Sequence, residues 1–269
     1  MLINNLYPIE VYDGLVPQKS YQLIWDYLAK QTWHMKWQAI SEIPAHLHRY
    51  KPTEGRDGWL RTEPRFSNSA TFHRTCLSSD EPGLKKKHPL IWGLWKTINN
   101  GLGNEYEITG NPEYMVDEEY TAPQTEDATL PQGWRVYVNG AFGQESNGTW
   151  GPHRDTPDQN DTTSVTILYV VNPIWYPRFA GEIIFFPEDP EGLTGDHQQF
   201  NRGKDRGGQI RGFNVGWPDQ GKTVSPVPGR VIVFDGRALH NTRSISAGVH
   251  QDPCWKIVFR ARRKTPWPN

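Results

Sequence analysis

The sequence predicts a mainly β fold with flanking helices, as either an α+β domain or a β-sandwich or barrel that helices support. Two helical patterns occur before Gln132, and the strong strand patterns follow it. Glycine and proline number 25 and 22 among 269 residues. This share is typical of a turn-rich protein and lies below that of low-complexity disorder. The 12 tryptophans, 11 tyrosines and 10 phenylalanines supply bulky side chains for a core.

Two segments of the first part have apolar side chains at helical spacing, i, i+3, i+4 and i+7. They are residues 17–31, with Tyr21, Ile24, Trp25 and Leu28, and residues 88–100, with Ile91, Leu94, Trp95 and Ile98. Pro89 suits a first helical turn, and Gly101 suits the end of a helix. We therefore predict two helices here.

Five runs rich in β-branched and aromatic residues follow, each bounded by Gly, Pro, Asn or Asp. They are WRVYVNG (134–140), SVTILYVV (164–171), GEIIFF (181–186), GRVIVFDG (229–236) and CWKIVFRAR (254–262). We predict one domain over residues 1–269. Residues 1–132 form its helical and irregular support, and residues 133–269 form its β core.

Composition excludes several classes of function. The 29 basic and 30 acidic residues leave a net charge of −1, which argues against binding to nucleic acid or an anionic membrane. No apolar run approaches the roughly 18 residues of a membrane helix. The N-terminus lacks the pattern of a secretory signal, and two cysteines are too few for a disulfide framework or a cysteine-based zinc site. We expect a cytoplasmic protein that binds neither nucleic acid nor membrane, and no pattern predicts its oligomeric state.

Three residues have the chemistry and spacing of metal ligands. His153 and Asp155 are two positions apart in an extended segment, so their side chains point to one side. His240 follows a predicted strand and would complete the set from its end. Two imidazoles and one carboxylate on one face form the facial triad of non-haem Fe(II) oxygenases, which leaves positions open for a co-substrate and O₂. The alternatives are a hydrogen-bonded loop pair for His153 and Asp155 and a core histidine for His240.

The motifs of the second half, taken in order, resemble the Fe(II)/2-oxoglutarate-dependent dioxygenases, and within them the prolyl-4-hydroxylase-like branch. The motifs are GPHRD (151–155), SVTILYVVN (164–172), GEIIFF (181–186) and PGRVIVFDGRALH (228–240). The resemblance covers about half the chain. It implies a double-stranded β-helix, or jelly-roll, with iron and 2-oxoglutarate at its open end. The sequence departs from the family at Ile183, where the family has threonine.

The resemblance also implies a basic residue that binds the distal carboxylate of 2-oxoglutarate. Counting from His240 reaches His250, whereas alignment of the strands reaches Lys256. Arg260 shares the face of Lys256, since alternate residues of a strand point to one side. We expect Lys256 to fill this role and Arg260 to be the second candidate, with Arg243 third. The alternative for Lys256 is a solvated strand residue or an ion pair.

Tyr137, on the strand before GPHRD, matches a family tyrosine that often hydrogen-bonds the same carboxylate. Arg135 and Asn139 share its face, and we expect them to contact co-substrate or substrate. The alternative for Tyr137 is ordinary strand packing.

The resemblance implies that 2-oxoglutarate is oxidatively decarboxylated to succinate and CO₂. An unactivated C–H of an amino acid, peptide or small metabolite is then hydroxylated. Related halogenases have a small residue at the carboxylate ligand, so the presence of Asp155 favours hydroxylation or another oxidation. Two alternatives stay open: a cupin-like metalloenzyme that does not use 2-oxoglutarate, and a non-catalytic jelly-roll module that binds carbohydrate through its tryptophans.

A long segment, residues 187–228, interrupts the strand succession and has almost no periodicity. Loops of this length at the mouth of a rigid scaffold often carry binding residues. It is Gly-rich and contains Arg202, Lys204, Arg206, Arg211, Phe213 and Trp217. We expect this loop insertion to close over the substrate and to favour an anionic group. The alternative is a surface insertion without function.

Overall fold

The computed structural model describes residues 7–30, 33–35, 49–50, 72–78, 81–108, 136–141, 154–156, 160–186, 222–243, 245–246 and 254–267. The α-helices are α1 (Lys19–Ala29), α2 (Glu81–Lys87) and α3 (Pro89–Gly101), and Pro177–Phe179 form a 3₁₀ turn. The strands are β1 (Ile9–Tyr12), β2 (Trp33–Met35), β3 (Arg49–Tyr50), β4 (Phe72–Ser78), β5 (Tyr106–Glu107), β6 (Val136–Ala141), β7 (Ser164–Val170), β8 (Ile183–Phe185), β9 (Lys222–Val224), β10 (Val231–Asp235), β11 (His240–Thr242) and β12 (Cys254–Arg263).

The strands form two antiparallel sheets. The large sheet has the order β1-β10-β7-β12-β6-β4-β2-β3, with β5 paired to β12, and the small sheet has the order β11-β8-β9. From β7 onward the chain alternates between them, because β8 and β9 lie in the small sheet, β10 in the large, β11 in the small and β12 in the large. Such crossing between two antiparallel sheets is the topology of a jelly roll. The predicted mainly β fold with a jelly-roll core is confirmed.

The two faces of the large sheet pack against different partners, because successive strand residues point to opposite sides. Ile257 and Phe259 of β12 belong to the apolar cluster that includes the buried faces of α1 and α3. Trp25 of α1 stacks on Trp255, with 4.1 Å between ring centroids. Val258, on the other face, packs in a second cluster with side chains of the small sheet. The helices therefore cover the outer face and leave the inner face for a site between the sheets.

Both predicted helices are present. α1 buries Ile24 and Leu28, and α3 begins at Pro89 as expected. Gly101 is the last residue of α3, one position before the cap at Leu102. Within the described residues, no helix has the length and apolar character needed to span a membrane.

The structure adds elements that the sequence pattern does not predict. β3 and β4 lie in a stretch that the sequence suggests is irregular, and β4 extends the large sheet beside β6. The sequence of β4, FHRTCLS, mixes polar and apolar residues without clear alternation. β9 lies inside the predicted loop insertion 187–228 and pairs with β8. The C-terminal part of the predicted insertion therefore contains a strand of the small sheet. Residues 187–221 lie outside the described residues, and the predicted lid stays a prediction.

Candidate metal centre and its surroundings

Two of the three predicted metal ligands lie together between the sheets. Asp155 Oδ1 and His240 Nε2 are 3.9 Å apart, and their side chains are 5% and 8% exposed. His153 lies outside the described residues. The described ranges contain no group of three or more His, Cys, Asp or Glu side chains that would hold a metal ion.

The Asp155 segment is joined to the turn that precedes His240. The amides of Asp155 and Thr156 donate to the carbonyl of Gly236 at 2.8 and 2.9 Å. The Gly236 amide in turn donates to the Ser164 carbonyl at 3.0 Å. A Cβ atom at Gly236 would lie 2.3 Å from Ser164 Oγ, so glycine leaves room here for the Ser164 side chain.

Arginine side chains strengthen the same junction. Arg154, between the two predicted ligands of its segment, donates a hydrogen bond to the Arg237 carbonyl. Arg237 forms a buried ion pair with Asp235, with 2.7 Å between Nη2 and Oδ2. Both guanidinium groups lie over the Tyr7 ring, at 5.7 Å for Arg154 and 4.9 Å for Arg237. These contacts fix the Arg154 segment against the turn that precedes His240.

The orientation of the His240 ring follows from one hydrogen bond. Nδ1 lies 2.9 Å from the Ala238 carbonyl. Because a carbonyl only accepts, Nδ1 is the donor, and the neutral ring then has its lone pair on Nε2. Phe185 and Phe234 pack against the ring, with centroids 5.8 and 4.8 Å away. His240 thus points an electron-pair donor at the Asp155 carboxylate, which is how a metal-binding histidine is oriented.

Asp155 is also bound by residues of β7 and β12. Thr166 Oγ1 donates to Asp155 Oδ2 at 2.5 Å, and Arg260 Nη2 lies 2.7 Å from Oδ1. Arg260 also donates from Nε to the Tyr137 hydroxyl and from Nη1 to Thr166 Oγ1, both at 3.2 Å. Burial lowers the pKa of Arg260, but Asp155 and Tyr137 outweigh this effect and raise it above the usual value. The structure therefore brings Tyr137 and Arg260 together with Asp155.

A divalent cation fits the Asp155–His240 pair. A carboxylate and an imidazole lone pair face each other in a buried interior, and both are ligands that Fe(II) accepts. A third ligand from His153 would complete a facial triad.

Lys256 is a buried cation on the same face of β12 as Arg260. It is 6% exposed, and its Nζ donates to the Gly181 carbonyl at 3.0 Å. Among the described residues no carboxylate lies within ion-pair distance of this amine. Burial lowers the pKa of Lys256, and Cys254 and Glu182 offset this only in part. The residue is not a solvated strand position, and an ammonium with two further N–H donors in an apolar interior is suited to bind an anion.

The remaining predicted residues are less informative. Arg135 and His250 lie outside the described residues. The Arg243 side chain is 63% exposed and lies 3.9 Å from Glu182, which does not suit a buried carboxylate partner. Asn139 lies on β6, opposite Lys256 in the strand register.

Sequence reasoning missed Thr166 and Gly236. Thr166 is a polar residue within an otherwise apolar stretch of β7, and it is 1% exposed. A hydroxyl at a buried strand position is normally hydrogen-bonded, so the apolar pattern around Thr166 could have predicted a hydrogen-bonding role for it. The role of Gly236 depends on the approach of Ser164 from another strand, which no local pattern indicates.

No protein-family model and no curated protein matches the sequence. Solved structures do match, at low identity. A prolyl hydroxylase in complex with a hypoxia-inducible-factor peptide fragment, from Trichoplax adhaerens, is 13% identical with a TM-score of 0.47, covering 98% of this chain and 88% of that chain. A Pseudomonas putida prolyl-4-hydroxylase is 12% identical with a TM-score of 0.42, covering 96% and 94%. HygX from Streptomyces hygroscopicus, with nickel and 2-oxoglutarate bound, is 13% identical with a TM-score of 0.44, covering 98% and 86%.

Proposed function

We propose that this protein is an Fe(II)- and 2-oxoglutarate-dependent oxygenase. It hydroxylates an unactivated C–H of an amino acid, a peptide or a small metabolite, and it releases succinate and CO₂. One observation carries the proposal: the buried Asp155–His240 pair and the buried cation Lys256 face the same interior between the two sheets. The sequence motifs that contain Asp155 and His240 resemble that enzyme family.

The metal ligands in this proposal are His153, Asp155 and His240. Asp155 supplies a negative charge that Thr166 orients, and His240 supplies Nε2 because Ala238 holds its Nδ1 proton. When bound, the iron supplies the electrons for the reaction with O₂, which protein side chains do not provide. A triad leaves positions open for the co-substrate and O₂.

Lys256 binds the distal carboxylate of 2-oxoglutarate in this proposal. A carboxylate that enters an apolar interior needs a charged partner, or its desolvation costs several kcal/mol. Burial also disfavours the charged form of Lys256 and lowers its pKa. A buried ammonium and a buried carboxylate therefore stabilise each other. Arg260 is a weaker candidate because its guanidinium is bound to Asp155, and Tyr137 and Arg135 complete the proposed co-substrate site.

Apolar side chains surround this interior and exclude water from it. Leu168, Phe185, Phe234 and Val258 form one buried cluster with Tyr137. A dry site strengthens the interaction of Lys256 with a bound carboxylate and limits side reactions. The buried Lys256 also favours 2-oxoglutarate use over the cupin-like alternative, which has no need for an anion site there.

The test is to incubate the full chain with Fe(II), 2-oxoglutarate and panels of amino acids and peptides. Mass spectrometry then measures one added oxygen per product and one succinate per turnover. A control reaction uses the Asp155→Ala variant, which lacks one proposed metal ligand and is otherwise unchanged in sequence. An oxidised product without succinate would support the cupin-like alternative. Carbohydrate binding by metal-free protein, without any turnover, would support the binding module.

A further inference from the structure

We propose that Arg260 is the internal counter-ion of Asp155 in the metal-free protein and that its charge weakens metal binding there. The inference rests on the proposed function, because it concerns a cation bound at the Asp155–His240 pair. Arg260 Nη2 is 2.7 Å from Asp155 Oδ1, and the same oxygen faces His240 Nε2 at 3.9 Å. The guanidinium therefore lies beside the position that a metal ion would take.

Burial makes a counter-ion necessary. The Asp155 side chain is 5% exposed, and an ionised carboxylate in such a place is strongly unfavourable without an opposite charge. The Thr166 hydroxyl donates to Oδ2 but brings no charge. Lys256, the buried cation on the same face, donates to the Gly181 carbonyl. Arg260 therefore places a positive charge directly against the Asp155 carboxylate before a metal binds.

Three contacts hold the guanidinium in place, one from each nitrogen. Nε donates to Tyr137, Nη1 to Thr166 and Nη2 to Asp155. The register of the large sheet supports this arrangement. Arg260 of β12 lies opposite Thr166 of β7. Val258, two positions before Arg260 on β12, lies opposite Tyr137 of β6. The charge beside Asp155 is thus held by the fold and does not depend on a solvent-exposed rotamer.

A held positive charge has a predictable effect on a second cation. The guanidinium repels a divalent ion at the pair and competes for Oδ1. The coupling is reciprocal, so a bound metal weakens the Arg260–Asp155 ion pair to the same extent. A residue that only oriented Asp155 would act in the opposite direction, since losing such a residue typically lowers metal affinity about 10–100-fold. The sign of the change therefore separates the two roles.

The experiment is a Mn(II) titration of metal-stripped, full-length protein, with free Mn(II) followed by its electron paramagnetic resonance signal. Arg260→Met and Arg260→Gln should each lower the Mn(II) Kd about tenfold, because a repulsive charge is lost. Arg260→Lys keeps the charge and should bind like wild type. Thr166→Val removes a neutral orienting bond and should raise the Kd. Thermal unfolding gives a second readout: without metal Arg260→Met should melt lower than wild type, and Mn(II) should raise its midpoint by more.

An unchanged or higher Kd in Arg260→Met, with wild-type circular dichroism, would overturn the proposal. If Arg260→Met does not fold, the Mn(II) Kd of Arg260→Gln is the test, because the glutamine amide is neutral but can still form hydrogen bonds with polar neighbours. Wild-type protein that does not bind Mn(II) would overturn the proposed function together with this inference. Wild-type binding without tightening in either neutral variant would overturn this inference alone.

Discussion

The backbone amide of Asp155 donates a hydrogen bond of 2.8 Å to the carbonyl of Gly236, which lies on the turn leading to His240. The two side chains proposed to bind a metal thus belong to segments that share a backbone contact. Their separation depends on how closely that turn approaches Ser164, where a Cβ at Gly236 would come within 2.3 Å of Oγ.

We expect Gly236→Ala to push this turn away from Ser164 and to lower both stability and Mn(II) affinity. Overpacking of this kind costs about 1–3 kcal/mol in the free energy of unfolding. Urea denaturation and Mn(II) titration measure the two effects. Gly93→Ala is the matched control, because a Cβ there meets no atom within 4 Å and the change sits within α3. It should stabilise the protein by about 0.5–1 kcal/mol. Adding Ser164→Ala should recover part of the loss, and no recovery would contradict the steric explanation.

The proposed triad has no spare ligand, so His240→Ala and Asp155→Ala should each abolish turnover. Asp155→Ala should also reduce stability without metal, because Arg260 loses its buried partner. His153→Ala tests the ligand that lies outside the described residues and should behave like His240→Ala. Metal content after loading and product yield are the measurements. Full iron affinity and activity in His240→Ala would show that the metal assignment is wrong.

The predicted lid is tested by replacing residues 187–221 with a short Gly-Ser linker, which keeps β9. A lid that excludes water predicts that substrate turnover falls while 2-oxoglutarate decay without product persists. Both rates come from one reaction, through the ratio of succinate to oxidised substrate. Unchanged coupled turnover would leave only the interpretation as a surface insertion.

The jelly-roll strands and the Asp155–His240 pair could be predicted because their signals are local. β7, β10 and β12 are apolar runs with sharp turn residues at their ends. Asp155 belongs to a short motif before β7, and His240 follows β10 closely. β4 was not predicted, since four of its seven residues are polar and its partner β6 lies far along the chain. Its strand state comes from pairing with β6 on one side and β2 on the other, which overrides weak local preference.

The Arg260–Asp155 ion pair was also beyond sequence reasoning. The sequence predicts Arg260 as an alternative partner of 2-oxoglutarate because it shares a face with Lys256. The register between β12 and β7, in which Arg260 lies opposite Thr166, determines which of the two basic side chains contacts Asp155. A shift of two positions would bring Val258 or Arg262 to that place, and no pattern within either strand sets this register alone.

Lys256 provides the most specific test of co-substrate binding. The Lys256 amine attracts a carboxylate only in its protonated, charged form. Burial lowers the pKa of this amine from its usual value, and the nearby titratable groups are Glu182 and Cys254. The 2-oxoglutarate Kd should therefore rise as pH increases through this lowered pKa, and binding above it should take up a proton. Lys256→Arg keeps its charge at all these pH values, so its Kd should stay flat. Lys256→Met should raise the Kd strongly at every pH while Mn(II) binding stays near wild type. Calorimetric titrations of 2-oxoglutarate into Mn(II)-loaded protein, in two buffers of different ionisation enthalpy, measure both the Kd and the proton uptake. An unchanged Kd in Lys256→Met would transfer the role to Arg260.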